Sequence, residues 1–295
     1  MQAENSRIRI GSRGGFKEYL SLIKPRETSL LVFIAMVAAF LAGNGTLPFE
    51  RAGLIFLAVL LASAGANGLT NYLDRHFDAR MERTRRRVLP SGRLYPAENA
   101  LYFCLALSLA GLVLAWILHP LVFAADLAGT LAAVVYRKRA TCVFPQGMIA
   151  GCAPILMGWL AVSPQVSWQL LCLCILIALW LPSHVWSIML AHQEAYRQAG
   201  LAFFPINRHF KFVTRLLLVF SIGLVLASVG LYLASDLGWL YLGVALIAGL
   251  MMVYASWRLT CSLSSRAAWT LYKLSSYPYL GLLFLTMALD IGLKI

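Results

Sequence analysis

Long apolar stretches alternate along the chain with short polar and mostly basic ones. Runs near 29–47, 53–73, 100–118, 120–136, 146–163, 168–190, 212–234, 237–257 and 270–291 carry almost no charge. A helix needs about 20 mostly apolar residues to cross the hydrocarbon core of a bilayer. These runs therefore predict an all-α membrane protein, a bundle of nine transmembrane helices. The polar positions supply an orientation. Every Lys and Arg except Arg51 and Lys294 falls in the N-terminal segment or in 75–93, 137–139, 197–215 or 258–273. With the N-terminus in the cytoplasm, all five segments share that side, as the positive-inside rule requires, and an odd number of crossings puts the C-terminus outside. Connections on the opposite side are short, such as Leu118-His119-Pro120 and Ser163-Pro164-Gln165.

Composition agrees with this pattern and narrows the function classes. The chain is 60% hydrophobic and 13% charged, with a mean hydropathy of +0.75; soluble domains carry roughly a quarter charged residues. The net charge of +13 follows from topology and does not indicate nucleic-acid binding, although the arginines crowded into one loop suit an anionic ligand. Residues 1–27 are polar and basic and lack the apolar core and cleavage site of a signal peptide. They are expected to form a basic cytoplasmic segment ahead of a single polytopic membrane domain, 28–295. Six cysteines without a CxxC pair read as small membrane-core residues.

The chemistry-bearing segment follows the second run. It reads Asn71-Tyr72-Leu73-Asp74-Arg75-His76-Phe77-Asp78-Ala79-Arg80-Met81-Glu82-Arg83-Thr84-Arg85-Arg86-Arg87. On a continuing helix Asp74 and Asp78 share a face one turn apart, and Asn71 lies on it too. Two carboxylates and an amide oxygen are hard ligands of the kind Mg²⁺ takes when it also binds substrate phosphates. Acids are disfavoured at the negative C-terminal end of a helix dipole, so the pair calls for a cation. That cation is either a metal or a neighbouring guanidinium of Arg75, Arg80 or residues 83–87, and spacing alone leaves both open.

The string from Asn71 to Arg87 resembles the protohaem IX farnesyltransferase (haem O synthase) family, a branch of the UbiA-type intramembrane prenyltransferases. Further segments are similar in the same order: Tyr136 with Lys138-Arg139 and Thr141; Gly151-Cys152-Ala153-Pro154; Trp180-Leu181-Pro182-Ser183-His184; Glu194-Ala195-Tyr196-Arg197; and the tail Ser275-Ser276-Tyr277 with Asp290. The resemblance runs from about Lys24-Pro25 to the end of the chain. It implies a helical bundle with a lateral, lipid-facing cavity in which two acidic loops hold Mg²⁺ on farnesyl diphosphate. Asp74, Asp78 and Glu194 would be the metal ligands. Arg83, Arg87, Lys138 and Arg139 would take phosphate oxygens, with Asn71, Tyr136, Tyr196 and Arg197 completing the substrate site. His184 would serve the haem B acceptor, as an axial ligand of iron or in proton handling; it lies about 15 Å along its helix from Glu194. An intramembrane histidine is a functional candidate by default, and a histidine packed against a neighbouring helix is the plainer alternative. Implied partners are farnesyl diphosphate, haem B, the lipid bilayer and a downstream haem-modifying or oxidase-assembly protein. The implied location is the inner (plasma) membrane, with the active site facing the cytoplasm.

The chain departs from the family pattern at several points. Thr70 stands where the family has a further Asn, Ala195 replaces one of two paired acids before Tyr196, and Ala202-Phe203-Phe204-Pro205 replaces a Pro-Met-Leu-Pro run. Asp126, within the fourth run, has no family counterpart. His76 is expected in loop packing off the aspartate face. Two other functions are compatible with the sequence: prenyl transfer to an aromatic or quinone-precursor acceptor, and non-catalytic haem handling or transport.

Overall fold

The structure, a computed structural model, describes residues 14–135, 144–201 and 203–293. Tyr136, Lys138 and Arg139 lie outside the described residues. The elements in chain order are helical: α1 (Phe16–Leu22), α2 (Pro25–Ala42), α3 (Phe49–Asp78), α4 (Glu98–Leu118), α5 (Pro120–Val134), α6 (Phe144–Leu160), α7 (Trp168–Ala191), α8 (Gln193–Gln198), α9 (Phe210–Ala234), α10 (Trp239–Ser262) and α11 (Ser265–Leu274). A π-type turn (Ser275–Gly281) then leads into α12 (Leu282–Leu293). Among the described residues, 7 helical stretches are long and apolar enough to cross a membrane, counting Ser265–Leu293 as one; α5 and α6 are apolar but shorter. The protein is thus an all-helical, multi-pass membrane protein.

Side chains explain both the packing and the outer surface. Leu109, Trp116, Val219, Leu226 and Ile247 are exposed on their helices, as expected of a bundle whose outer face meets lipid. Inside, small residues let the backbones close together. A Cβ on Gly158 of α6 would lie 2.0 Å from the Ala35 carbonyl oxygen of α2, and one on Gly68 of α3 would lie 2.1 Å from Cys104 Sγ of α4.

Two element boundaries differ from the hydrophobic pattern. The second apolar run ends at 73, but α3 continues to Asp78, so the acidic segment is helical. His76 consequently sits exposed in the last turn of α3 rather than in a loop. The last run is not one straight helix. Pro278 has no N–H to give and its ring crowds the preceding turn, and the chain kinks at Ser276, where ψ is −126°.

Candidate active site

The end of α3 is built around one buried oxygen cluster. Asn71, Asp74 and Asp78 are all buried and recur at helical spacing on one side of the helix. Asn71 Nδ2 donates to the Leu22 carbonyl at 2.6 Å, which fixes the amide and ties α1 to α3. Its Oδ1 is then left buried with no hydrogen-bond partner among the described residues. An orphaned amide oxygen beside two carboxylates is costly unless a cation or donor reaches it. The donor set therefore fits Mg²⁺, which prefers hard oxygens.

Asp78 pairs with Arg87: Arg87 Nη1 lies 2.8 Å from Asp78 Oδ2, with side-chain exposures of 38% and 4% respectively. The acid of the pair is thus enclosed, while the arginine stays partly open to solvent. Thr84 donates to the Asp78 carbonyl at 2.9 Å and folds the basic segment back on the helix end. Arg75 donates to the Tyr72 carbonyl at 2.8 Å and lies over the Tyr72 ring, Arg85 pairs with Glu82, and Arg83 is exposed. Thr70 donates to the Asn67 carbonyl at 2.7 Å, so its hydroxyl proton is committed within the helix.

Asn71, Asp78 and Arg87 line a cavity of about 450 Å³ whose wall also carries Lys17, Lys24, Arg26 and Glu27. The hydrophobic pattern did not single out these N-terminal cations as site residues; Lys24-Pro25-Arg26, directly before a long apolar run, was the available signal. The second loop reaches the same end of the bundle through apolar contacts. Met81, Ala199 and Leu201 form a buried cluster, and Phe77, Ala195, Tyr196 and Phe203 pack against it. The residue in place of the expected second acid, Ala195, is thus used for packing. Glu194 is exposed and accepts from Gln198 Nε2 at 3.0 Å, and Arg197 is exposed. Among the described residues no group of three acids, histidines or cysteines is close enough to hold a metal unaided, so any metal there must complete its shell with the Asn71 oxygen, water or substrate.

His184 lies on α7, partly exposed, between two rings: Trp180 stacks on it at 4.8 Å and Tyr272 flanks it at 4.7 Å. Tyr277, in the turn after α11, donates to the Arg26 carbonyl at 2.9 Å, which links the histidine's surroundings to the end of the bundle that carries the acids. His192, in the turn after α7, has a pKa below the ordinary histidine value because it is partly buried and because Arg83 is near. Asp126 is buried and accepts from Thr130 at 3.2 Å, and it pairs with no cation among the described residues.

A family model described as the UbiA prenyltransferase family matches residues 31–277. The chain belongs to the UbiA prenyltransferase family. It is therefore a prenyltransferase, and its curated relatives place it within one branch of that family. It is 36% identical to a protohaem IX farnesyltransferase of Desulforudis audaxviator, over 97% of this chain and 92% of that one. It is 32% identical to the protohaem IX farnesyltransferase of Mycolicibacterium gilvum, over 97% and 93%. Among solved structures, a digeranylgeranylglyceryl phosphate synthase superposes with a TM-score of 0.75 at 20% identity, covering 95% of this prenyltransferase and 99% of that chain. A UbiA homologue from Archaeoglobus fulgidus bound to GPP and Mg²⁺ gives 0.65 at 15%, covering 92% and 99%. At these identities the structural likeness establishes the fold.

Proposed function

We propose that this prenyltransferase transfers a farnesyl group from farnesyl diphosphate to a vinyl group of protohaem IX, giving haem O. The observation that carries the reading is the buried oxygen cluster of Asn71, Asp74 and Asp78 with its orphaned amide oxygen, in a chain whose full-length relatives are named protohaem IX farnesyltransferases. Asp74, Asp78 and Asn71 hold Mg²⁺, with Glu194 as the acid of the second loop. Bound there, the metal supplies positive charge against the diphosphate. Arg87 leaves Asp78 for a phosphate oxygen as substrate enters, and Arg83, Lys138, Arg139 and Arg197 add charge to the leaving group. Tyr136 and Tyr196 border the substrate.

The allylic C–O bond breaks with its electron pair on the diphosphate. The haem vinyl carbon attacks the allylic cation, and water adds to the resulting cation with loss of a proton, leaving a hydroxyethylfarnesyl substituent. The apolar bundle keeps stray water from the first cation. His184 takes the haem.

The helix count and charge distribution support nine crossings, with α5 and α6 completing the set. They also support a cytoplasmic N-terminus, an external C-terminus and a site on the cytoplasmic side of the inner membrane. Residues 28–295 form a single membrane domain behind a basic segment, 1–27, and a downstream haem-modifying or oxidase-assembly protein receives the product. Incubating membranes that contain the protein with farnesyl diphosphate, Mg²⁺ and haem B should yield the mass of hydroxyethylfarnesyl haem. A competent preparation that prenylates an aromatic ring and leaves haem unchanged overturns the reading.

A further inference from the structure

We infer that Ser275 is a positioning residue for His184: its hydroxyl holds the imidazole as the Nδ1–H tautomer, leaving Nε2 as the lone-pair nitrogen that ligates haem iron. The inference rests on the reading of His184 as the haem-binding residue. Ser275 Oγ lies 2.8 Å from the Tyr272 carbonyl oxygen and 2.9 Å from His184 Nδ1. A carbonyl only accepts, so the single hydroxyl proton of Ser275 is spent on Tyr272. The contact with His184 then uses a serine lone pair, and Nδ1 must carry the proton. Ser276 repeats the arrangement more loosely, donating to the Tyr272 carbonyl at 3.0 Å with its oxygen 3.5 Å from His184 Nδ1. Among the described residues no partner engages Nε2.

The ring is held as firmly as the tautomer. Trp180 stacks on it at an interplanar angle of 17°, and Trp180 Nε1 donates to the Ser275 carbonyl at 2.5 Å. Trp180, His184, Tyr272 and Ser275 thus form a closed set across α7, α11 and the π-type turn. The turn has a part in this, because the chain leaves α geometry at Ser276 and both serine hydroxyls converge on one carbonyl. A histidine that donates its far N–H to an oxygen is oriented and made more basic toward a metal, and loss of such an outer partner typically costs 10–100-fold in affinity. A neutral Nε2 without a proton can ligate iron but has no proton to donate to a reacting vinyl group.

Full-length protein in nanodiscs, titrated with ferrous haem B, gives the test through its optical spectrum and the iron–histidine stretch in resonance Raman. The wild type should bind haem through one histidine, and His184→Gly should lose the signature and regain it with added imidazole. Ser275→Ala should weaken haem binding about 10-fold and lower the stretching frequency, with farnesyl diphosphate binding unchanged. If Ser275→Ala also loses farnesyl diphosphate binding, Ser275→Cys, a weak acceptor of similar size, takes its place with a downshift in the same direction. An unshifted frequency in the serine variant that retains farnesyl diphosphate binding overturns the inference, even where haem affinity falls. A signature that survives His184→Gly refutes instead the assignment of haem to His184.

Discussion

At the candidate site Asn71 Oδ1 is buried with no partner among the described residues, while its own Nδ2 is pinned to Leu22. Burying such an oxygen costs free energy unless a cation or donor arrives, which is the physical ground for placing a metal there. Asp74→Asn and Asp78→Asn should each lower kcat by about 10²–10³-fold, the usual effect of removing one preorganised stabiliser of developing charge. The assay is the rate of haem O formation at saturating farnesyl diphosphate, and full activity in both variants refutes the metal–diphosphate reading. His192 gives a pH-dependent counterpart. Burial, and then Arg83, lower its pKa, and its Nε2 is buried without a hydrogen-bond partner among the described residues. The unfolded chain therefore takes up this proton at about 6.5, while the folded chain takes it up only at lower pH. Between those values the unfolded state binds more protons, so stability falls as pH drops through that window. His192→Gln should flatten the acid side of a thermal-unfolding profile in detergent; an unchanged slope argues against it.

At the scale of elements, tertiary contacts finish what helix propensity begins. The first backbone N–H groups of α10 have no partner within their own helix. Asp290 Oδ2 on α12 accepts from both Gly238 N and Tyr241 N at 2.9 Å. A capping carboxylate thus comes from a helix about fifty residues away, and its charge suits the positive end of the dipole. Asp290→Ala should cost about 1 kcal/mol, read as a lower unfolding midpoint with substrate binding retained. Gly158 tests the close approach of α6 to α2. A methyl there meets the Ala35 carbonyl oxygen at 2.0 Å, and backbone cannot swing aside as a flexible side chain can. Gly158→Ala should destabilise by about 1–3 kcal/mol, whereas Gly243→Ala, where a Cβ meets nothing within 4 Å, should be close to neutral.

At the scale of the whole molecule, the bundle brings the helix end at Asp78, the 87–90 segment and the N-terminal cations around one cavity, and the second loop packs on the first through Met81 and Phe77. The proposed topology of nine crossings puts residues 75–93 and 197–215 on one side. Single cysteines at Ser91 and Asn207 should then react with an impermeant maleimide only from the cytoplasmic side, and cysteines at Gln165 and Asp236 only from outside. Mixed labelling at Ser91 or Gln165 would break the topology.

The amino-acid sequence alone requires a helical chain that crosses a membrane repeatedly, because burial in lipid demands long apolar runs with internally satisfied backbones. It also determined where the acidic chemistry lies, since i,i+4 spacing places Asp74 and Asp78 together on any continuing helix. Tertiary structure alone decided their partners. Arg87 is nine residues from Asp78 in the chain, and choosing it over Arg75, Arg80 or Arg83 depends on how Thr84 folds the loop back. The setting of His184 was equally hidden, because Ser275 approaches it across ninety-one residues of chain through a turn that no periodicity encodes. Local pattern fixes which residues can share a face; which distant atom answers each buried polar group is fixed only when the helices pack.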